Sequence, residues 1–116
     1  MAKYPELIAN FLKFIKINTR SDPNSSSIPS AKRESQFLTM LAGLLTDMGL
    51  ADVHTNQQSA YVFATLPANV DRQVPTVGFI SHIDTADFNS ENVNPQIIEN
   101  YDGKSVITLD KDGEYT

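Results

Sequence analysis

Apolar side chains at Leu7, Ile8, Phe11, Leu12 and Ile15 recur at i, i+1, i+4, i+5 and i+8, the spacing of one helical face. The pattern predicts a first helix over 4–18, with Pro5 tolerated in the first turn, where the N–H that proline lacks has no helical partner. From Asn18 to Ser30 the chain holds Asp22, Pro23, Asn24, three consecutive serines and Pro29, residues that favour turns or divert backbone hydrogen bonds from a helix. A loop of about a dozen residues is near the upper limit a compact domain carries without a reason. Ser30 is placed to cap a second helix, along which Phe37, Leu38, Leu41, Leu44, Leu45 and Met48 share one side until Gly49 closes it.

After Gly49 the period shortens. Val53 and Thr55, then Tyr61 to Leu66, read as two short strands around an Asn56–Ser59 turn, with Pro67 ending the second. A polar loop from Ala68 to Gln73 leads into Pro75-Thr76-Val77-Gly78-Phe79-Ile80-Ser81. That nearly continuous apolar run is what a strand buried on both faces of an α/β sheet shows, and it is expected to be the central strand. Beyond Thr85 the pattern loosens into polar sequence, with short strands expected at Ile97-Ile98 and over Val106–Leu109. No internal repeat is visible. The order of two helices followed by strands is that of an α/β unit, with fewer helices than are needed to cover both faces of its sheet.

Composition narrows the function. The 116 residues, 41% hydrophobic and 20% charged, suit one globular domain and not a disordered chain. A net charge of -5 with only 9 Lys and Arg argues against a nucleic-acid surface, which rests on clustered cations. With no cysteine, a disulfide framework and a thiolate metal site are both excluded, and a metal would be held by His, Asp or Glu. The opening segment, broken by Lys13, Lys16 and Asn18, has neither a signal peptide's apolar run nor the ~20 apolar residues of a membrane span. The protein is therefore expected to be cytoplasmic, without a membrane or nucleic-acid partner.

The sharpest chemical feature is Ser81-His82-Ile83-Asp84-Thr85, at the end of the apolar run, where α/β sheets build their sites. In extended backbone, side chains two apart share a face, so His82 and Asp84 can act together. A neutral imidazole is a good zinc ligand once oriented, and a carboxylate commonly orients it; Asp84 can play that part or bind metal itself. A histidine in such a place also serves purely for structure, and a zinc site needs three or four ligands, with no second motif such as His-Glu-x-x-His in the chain. A small non-catalytic binding or scaffold domain with a structural histidine is thus the alternative reading.

The run Val77–Thr85, with Ala64-Thr65-Leu66-Pro67-Ala68-Asn69 before it and Asn92-Val93-Asn94-Pro95-Gln96-Ile97-Ile98-Glu99-Asn100-Tyr101 after it, resembles the M20 metallopeptidase family, in particular its tripeptide-aminopeptidase branch. Phe11-Leu12 and Met48-Gly49-Leu50 also fit, so the resemblance covers nearly the whole chain. It implies an α/β fold, the N-terminal part of a three-layer αβα zinc-peptidase catalytic domain with two helices followed by mixed-sheet strands. Residues 1–116 would be an incomplete portion of that domain, without its remainder or an inserted lid domain. The implied function is release of the N-terminal residue from tripeptides by a water bridging two zinc ions. His82 matches a ligand of one zinc, and Asp84 is the catalytic carboxylate that steadies it. The bridging aspartate, the paired glutamates that include the general base, a later aspartate and a final histidine would all follow Thr116, so these residues alone are expected to be inactive.

Other candidates have plainer readings. His54 is expected to be solvent exposed, and Asp87 and Glu91 to be solvated rather than metal-bound. Asp110-Lys111-Asp112-Gly113 is expected to form a turn rather than a calcium loop, which needs further ligands. The Ser25-Ser26-Ser27 loop is either a mobile edge of a site or slack.

Overall fold

The computed structural model describes residues 4–108. Helix α1 runs Pro5–Phe14, with Glu6 in its first turn and Lys13 in its last, each sign placed favourably against the helix dipole. It stops short of the expected 4–18. Ile15 takes the C-cap position, the Ile17 N–H turns back to the Phe14 carbonyl at 2.9 Å, and the Asn18 carboxamide is used outside the helix, accepting the Arg20 N–H at 3.1 Å. No residue of α1 is buried. Its tie to the next helix is an edge-to-face contact of Phe14 and Phe37, ring centres 5.4 Å apart.

Helix α2, Lys32–Asp47, carries the core residues Phe37 and Leu38. Its start corrects one expectation: Ala31, in extended conformation, occupies the cap position, and Ser30 lies one residue earlier. Alanine has no side-chain acceptor, so the helix start is secured from the other side. The buried Glu34 carboxylate accepts from the Ala31 N–H at 3.0 Å and from the Ser30 hydroxyl at 2.6 Å, half of a capping box with serine as an added donor. Ser30 also accepts the Asp22 N–H at 2.9 Å, and Ser27 donates to the Pro29 carbonyl at 2.8 Å, so the serine-rich loop is bonded within itself.

The helix ends at Gly49 as the pattern predicts. Gly49 has φ +81°, its N–H meets the Thr46 carbonyl at 2.9 Å, and the Leu50 N–H meets the Leu45 carbonyl at 3.1 Å. This is a Schellman closure, which needs a residue in the left-handed region. The turn feeds strand β1, Ala51–Asn56, antiparallel to β2, Tyr61–Thr65. The register is irregular between Ala51 and His54, where Asp52 has φ 52°. The Asn56 side chain accepts the N–H groups of Gln58 and Ser59 at 3.0 and 3.2 Å, which makes the expected hairpin turn. Val53, Thr55, Val62 and Ala64 are half-buried while their neighbours are exposed, and α2 packs against both strands. One side of α2 thus meets the half-buried face of the hairpin, while its buried Phe37 meets Phe14 of α1.

The expected central strand over 75–81 is not formed. The described residues contain a two-stranded sheet, and Val77, Phe79 and Ile80 are 71%, 94% and 91% exposed. A strand exists through its neighbours, and among the described residues none lies alongside to take up these N–H and C=O groups. The same holds for Ile97-Ile98 and for 106–108; Leu109 and the Asp110–Gly113 turn lie outside the described residues. The result is an open molecule. Its surface of 10242 Å² compares with about 6300 Å² for a compact monomer of this mass. Its radius of gyration of 18.0 Å compares with about 13 Å. Among the described residues no helix is long and apolar enough to cross a membrane.

Candidate functional site

The segment that follows the exposed run carries the predicted pair, and the structure brings the two side chains together. His82 Nδ1 lies 3.0 Å from Asp84 Oδ1. An ionised carboxylate only accepts, so the proton of a neutral imidazole sits on Nδ1 and the lone pair on Nε2, the arrangement of a histidine ready to bind metal. The His82 side chain is 82% exposed and that of Asp84 39%, so the pair is open to a ligand.

What holds this pair is a contact that pattern reading does not reveal. Thr85, next to Asp84, forms a parallel bridge with Arg20. The Thr85 N–H donates to the Thr19 carbonyl at 3.1 Å, and the Ser21 N–H donates to the Thr85 carbonyl at 3.0 Å, joined there by the Ser21 hydroxyl at 3.2 Å. Side chains extend the seam. The Arg20 guanidinium meets Asp87 Oδ1 through Nε at 2.7 Å and through a terminal nitrogen at 2.6 Å. Asn18 donates to Glu91 at 3.3 Å and accepts from Ser90 at 2.9 Å. Thr19, 4% exposed, lies within the seam. Asp87 and Glu91 are therefore partnered here by Arg20 and Asn18. The signal in the sequence is indirect: an unusually long polar loop with one arginine, and a later polar stretch with acids to match it.

His54 is exposed as expected. Its Nδ1 lies 2.8 Å from the Asp52 carbonyl oxygen, and its ring stacks on Phe63, which in turn stacks on Tyr61, centres 5.1 and 5.8 Å apart. It is engaged by the hairpin and adds nothing to the His82 pair. Among the described residues no three His, Cys, Asp or Glu side chains are grouped to hold a metal ion. The donor chemistry of His82 and Asp84 fits one corner of a zinc site, which takes three or four protein ligands.

No model of a known protein family matches the chain. Curated proteins do. The chain is 53% identical over 115 residues to "Peptidase T" of Latilactobacillus sakei subsp. sakei, an alignment covering 99% of this chain and 28% of that protein. It is 51% identical over 112 residues to "Peptidase T" of Limosilactobacillus fermentum, covering 97% and 27%. It is 48% identical over 113 residues to "Peptidase T" of Enterococcus faecalis, covering 97% and 28%. The chain thus spans little more than a quarter of the length of the curated relatives it matches.

Proposed function

We propose, from this similarity to Peptidase T proteins, that the chain is the N-terminal portion of the catalytic domain of a cytoplasmic, zinc-dependent aminopeptidase that removes the N-terminal residue of tripeptides. The observation that carries the proposal is the 3.0 Å contact of His82 Nδ1 with Asp84, on a chain about half identical to those relatives over nearly its whole length. In this reading the remainder of the protein supplies the other ligands of a two-zinc site, the general base and the lid. It also supplies the neighbours that turn 75–81 into a buried strand of a three-layer αβα domain. The exposure of Val77, Phe79 and Ile80 supports that part, since a large exposed apolar patch marks a surface meant to be covered.

The roles of this chain's own residues follow from their chemistry. Asp84 keeps the imidazole proton on Nδ1 and fixes the ring, so that the Nε2 lone pair of His82 is available to a metal. Zinc bound there would polarise the scissile carbonyl and lower the pKa of a bound water. With one metal donor where several are needed, residues 1–116 alone are expected to cleave no peptide.

The test uses the full-length protein that carries this segment, assayed for tripeptide cleavage and for bound zinc by atomic emission. Wild type should cleave and hold zinc. His82→Ala should abolish cleavage and lower the zinc content, and Asp84→Asn should cost roughly 10–100-fold in metal affinity or activity, the usual effect of losing an orienting carboxylate. Full activity in His82→Ala, or no tripeptide cleavage by wild type, would sink the proposal.

A further inference from the structure

Two exposed side chains on extended backbone hold a fixed contact only if the backbone beneath them is held. Ser81 donates locally to the His82 carbonyl at 3.3 Å, which ties the segment to nothing else. The anchor beside the pair is Thr85, bonded to both peptide groups that flank Arg20. The pair is therefore as well placed as Arg20 is.

Arg20 is itself fixed from α2. Arg33, in the first turn of that helix, donates from Nε at 2.9 Å and from Nη2 at 2.6 Å to the Arg20 carbonyl oxygen. Two donors of one planar fork on a single oxygen define direction as well as distance. This carbonyl belongs to the peptide whose N–H side is Ser21, and the Ser21 N–H is the group that holds the Thr85 carbonyl. Rotation of that peptide would move acceptor and donor together, so the Arg33 fork sets the aim of the Ser21 N–H. The line from α2 to the site is continuous: Arg33, the Arg20–Ser21 peptide, Thr85, Asp84, His82.

We propose that Arg33 is a positioning residue for the His82–Asp84 pair, acting from α2 through the Arg20 carbonyl. It touches neither substrate nor metal in this role. The inference rests on the reading of His82 and Asp84 as a metal-site pair, and it concerns how the pair is kept ready before any metal binds. Lysine is not an equivalent at this position, because its single ammonium has no fork and does not fix the plane of the carbonyl it meets.

The experiment is nitrogen NMR of the full-length, metal-stripped protein labelled at histidine, at alkaline pH where free imidazole is neutral. The His82 signal is assigned by its loss in His82→Gln. Wild type should show His82 as the Nδ1-protonated tautomer. In Arg33→Ala and in Arg33→Lys that tautomer should be lost in favour of the mixture shown by free imidazole, while His54, bonded within its own hairpin, stays unchanged as the control. Should Arg33→Ala also disturb His54, Arg33→Lys decides the matter, because it keeps the aliphatic stem and the charge. A wild-type His82 signature in Arg33→Lys overturns the proposal and leaves the metal-site reading intact. Absence of the Nδ1-protonated form in wild type overturns both.

Discussion

Replacing Phe79 by aspartate separates the chain as described from the chain as part of a larger domain. In the structure Phe79 is 94% exposed, and a substitution at so open a position should change stability by no more than about 0.5 kcal/mol. The proposed function demands a different result in the full-length protein, where 75–81 would be a strand covered on both faces. Loss of a buried phenylalanine there forfeits about 1.5–3 kcal/mol of transfer free energy. An unpaired carboxylate in its place adds a desolvation penalty of several kcal/mol. The expected loss is thus about 4 kcal/mol or more, well above the scatter of denaturation measurements. Urea unfolding followed by far-UV ellipticity, on Phe79→Asp and wild type, measures it in the full-length protein. The same substitution in residues 1–116 should leave the helical signal of α1 and α2 unchanged. A full-length Phe79→Asp protein within about 0.5 kcal/mol of wild type would refute the buried-strand reasoning, and with it the three-layer architecture.

Two smaller predictions concern turns. Gly49→Ala meets no atom within 4 Å of the added Cβ, yet it puts alanine at φ +81°; thermal melts should show a cost of about 1–2 kcal/mol from backbone strain alone, and an unchanged midpoint would refute the Schellman closure. Asp102 is held well below the ordinary carboxylate value, at about 2, first by the Ser105 N–H at 2.7 Å, then by the Ser105 hydroxyl and the Lys104 N–H. Because its folded value is depressed, the stabilisation it gives its loop is full above the unfolded value near 3.8 and fades as pH falls through about 2. A carbonyl-carbon NMR titration of Asp102 with its midpoint near 3.8 would contradict the turn.

The parts of the fold legible in the sequence are those whose physics is local. Helix α2 can be read because its apolar stripe is long and ends in a glycine, and the hairpin because its alternation and Asn56 turn lie within a few residues of each other. The stripe overstates helix α1, since it continues to Ile15 and says nothing of the Asn18 side chain being drawn into another contact. Residue type alone points to Ser30 as the cap, whereas the acceptor at that helix start is Glu34. The apolar run at 75–81 shows what kind of environment would suit it but not which strands would provide that environment. At the site, the spacing of His82 and Asp84 is enough to place them on one face. The Arg20 and Arg33 contacts escape because no short pattern records which carbonyl an arginine will reach.

The seam between the 18–21 loop and the 85–91 stretch also bears on the order in which the molecule assembles. Its side-chain bonds join residues 64 to 73 apart, whereas α2, its closing turn and the hairpin are built from neighbours within 31–65. Distant contacts form only after a long loop has been closed, at an entropic cost that nearby contacts avoid. The helix and hairpin are expected to form first and the seam last. Pulse-labelled hydrogen exchange during refolding should then protect the strand amides ahead of the Thr85 N–H, and simultaneous protection would contradict this order. The His82–Asp84 pair, adjacent to the Thr85 anchor, would thus be among the last features to become ordered, its contact fixed only once the scaffold beneath it is in place.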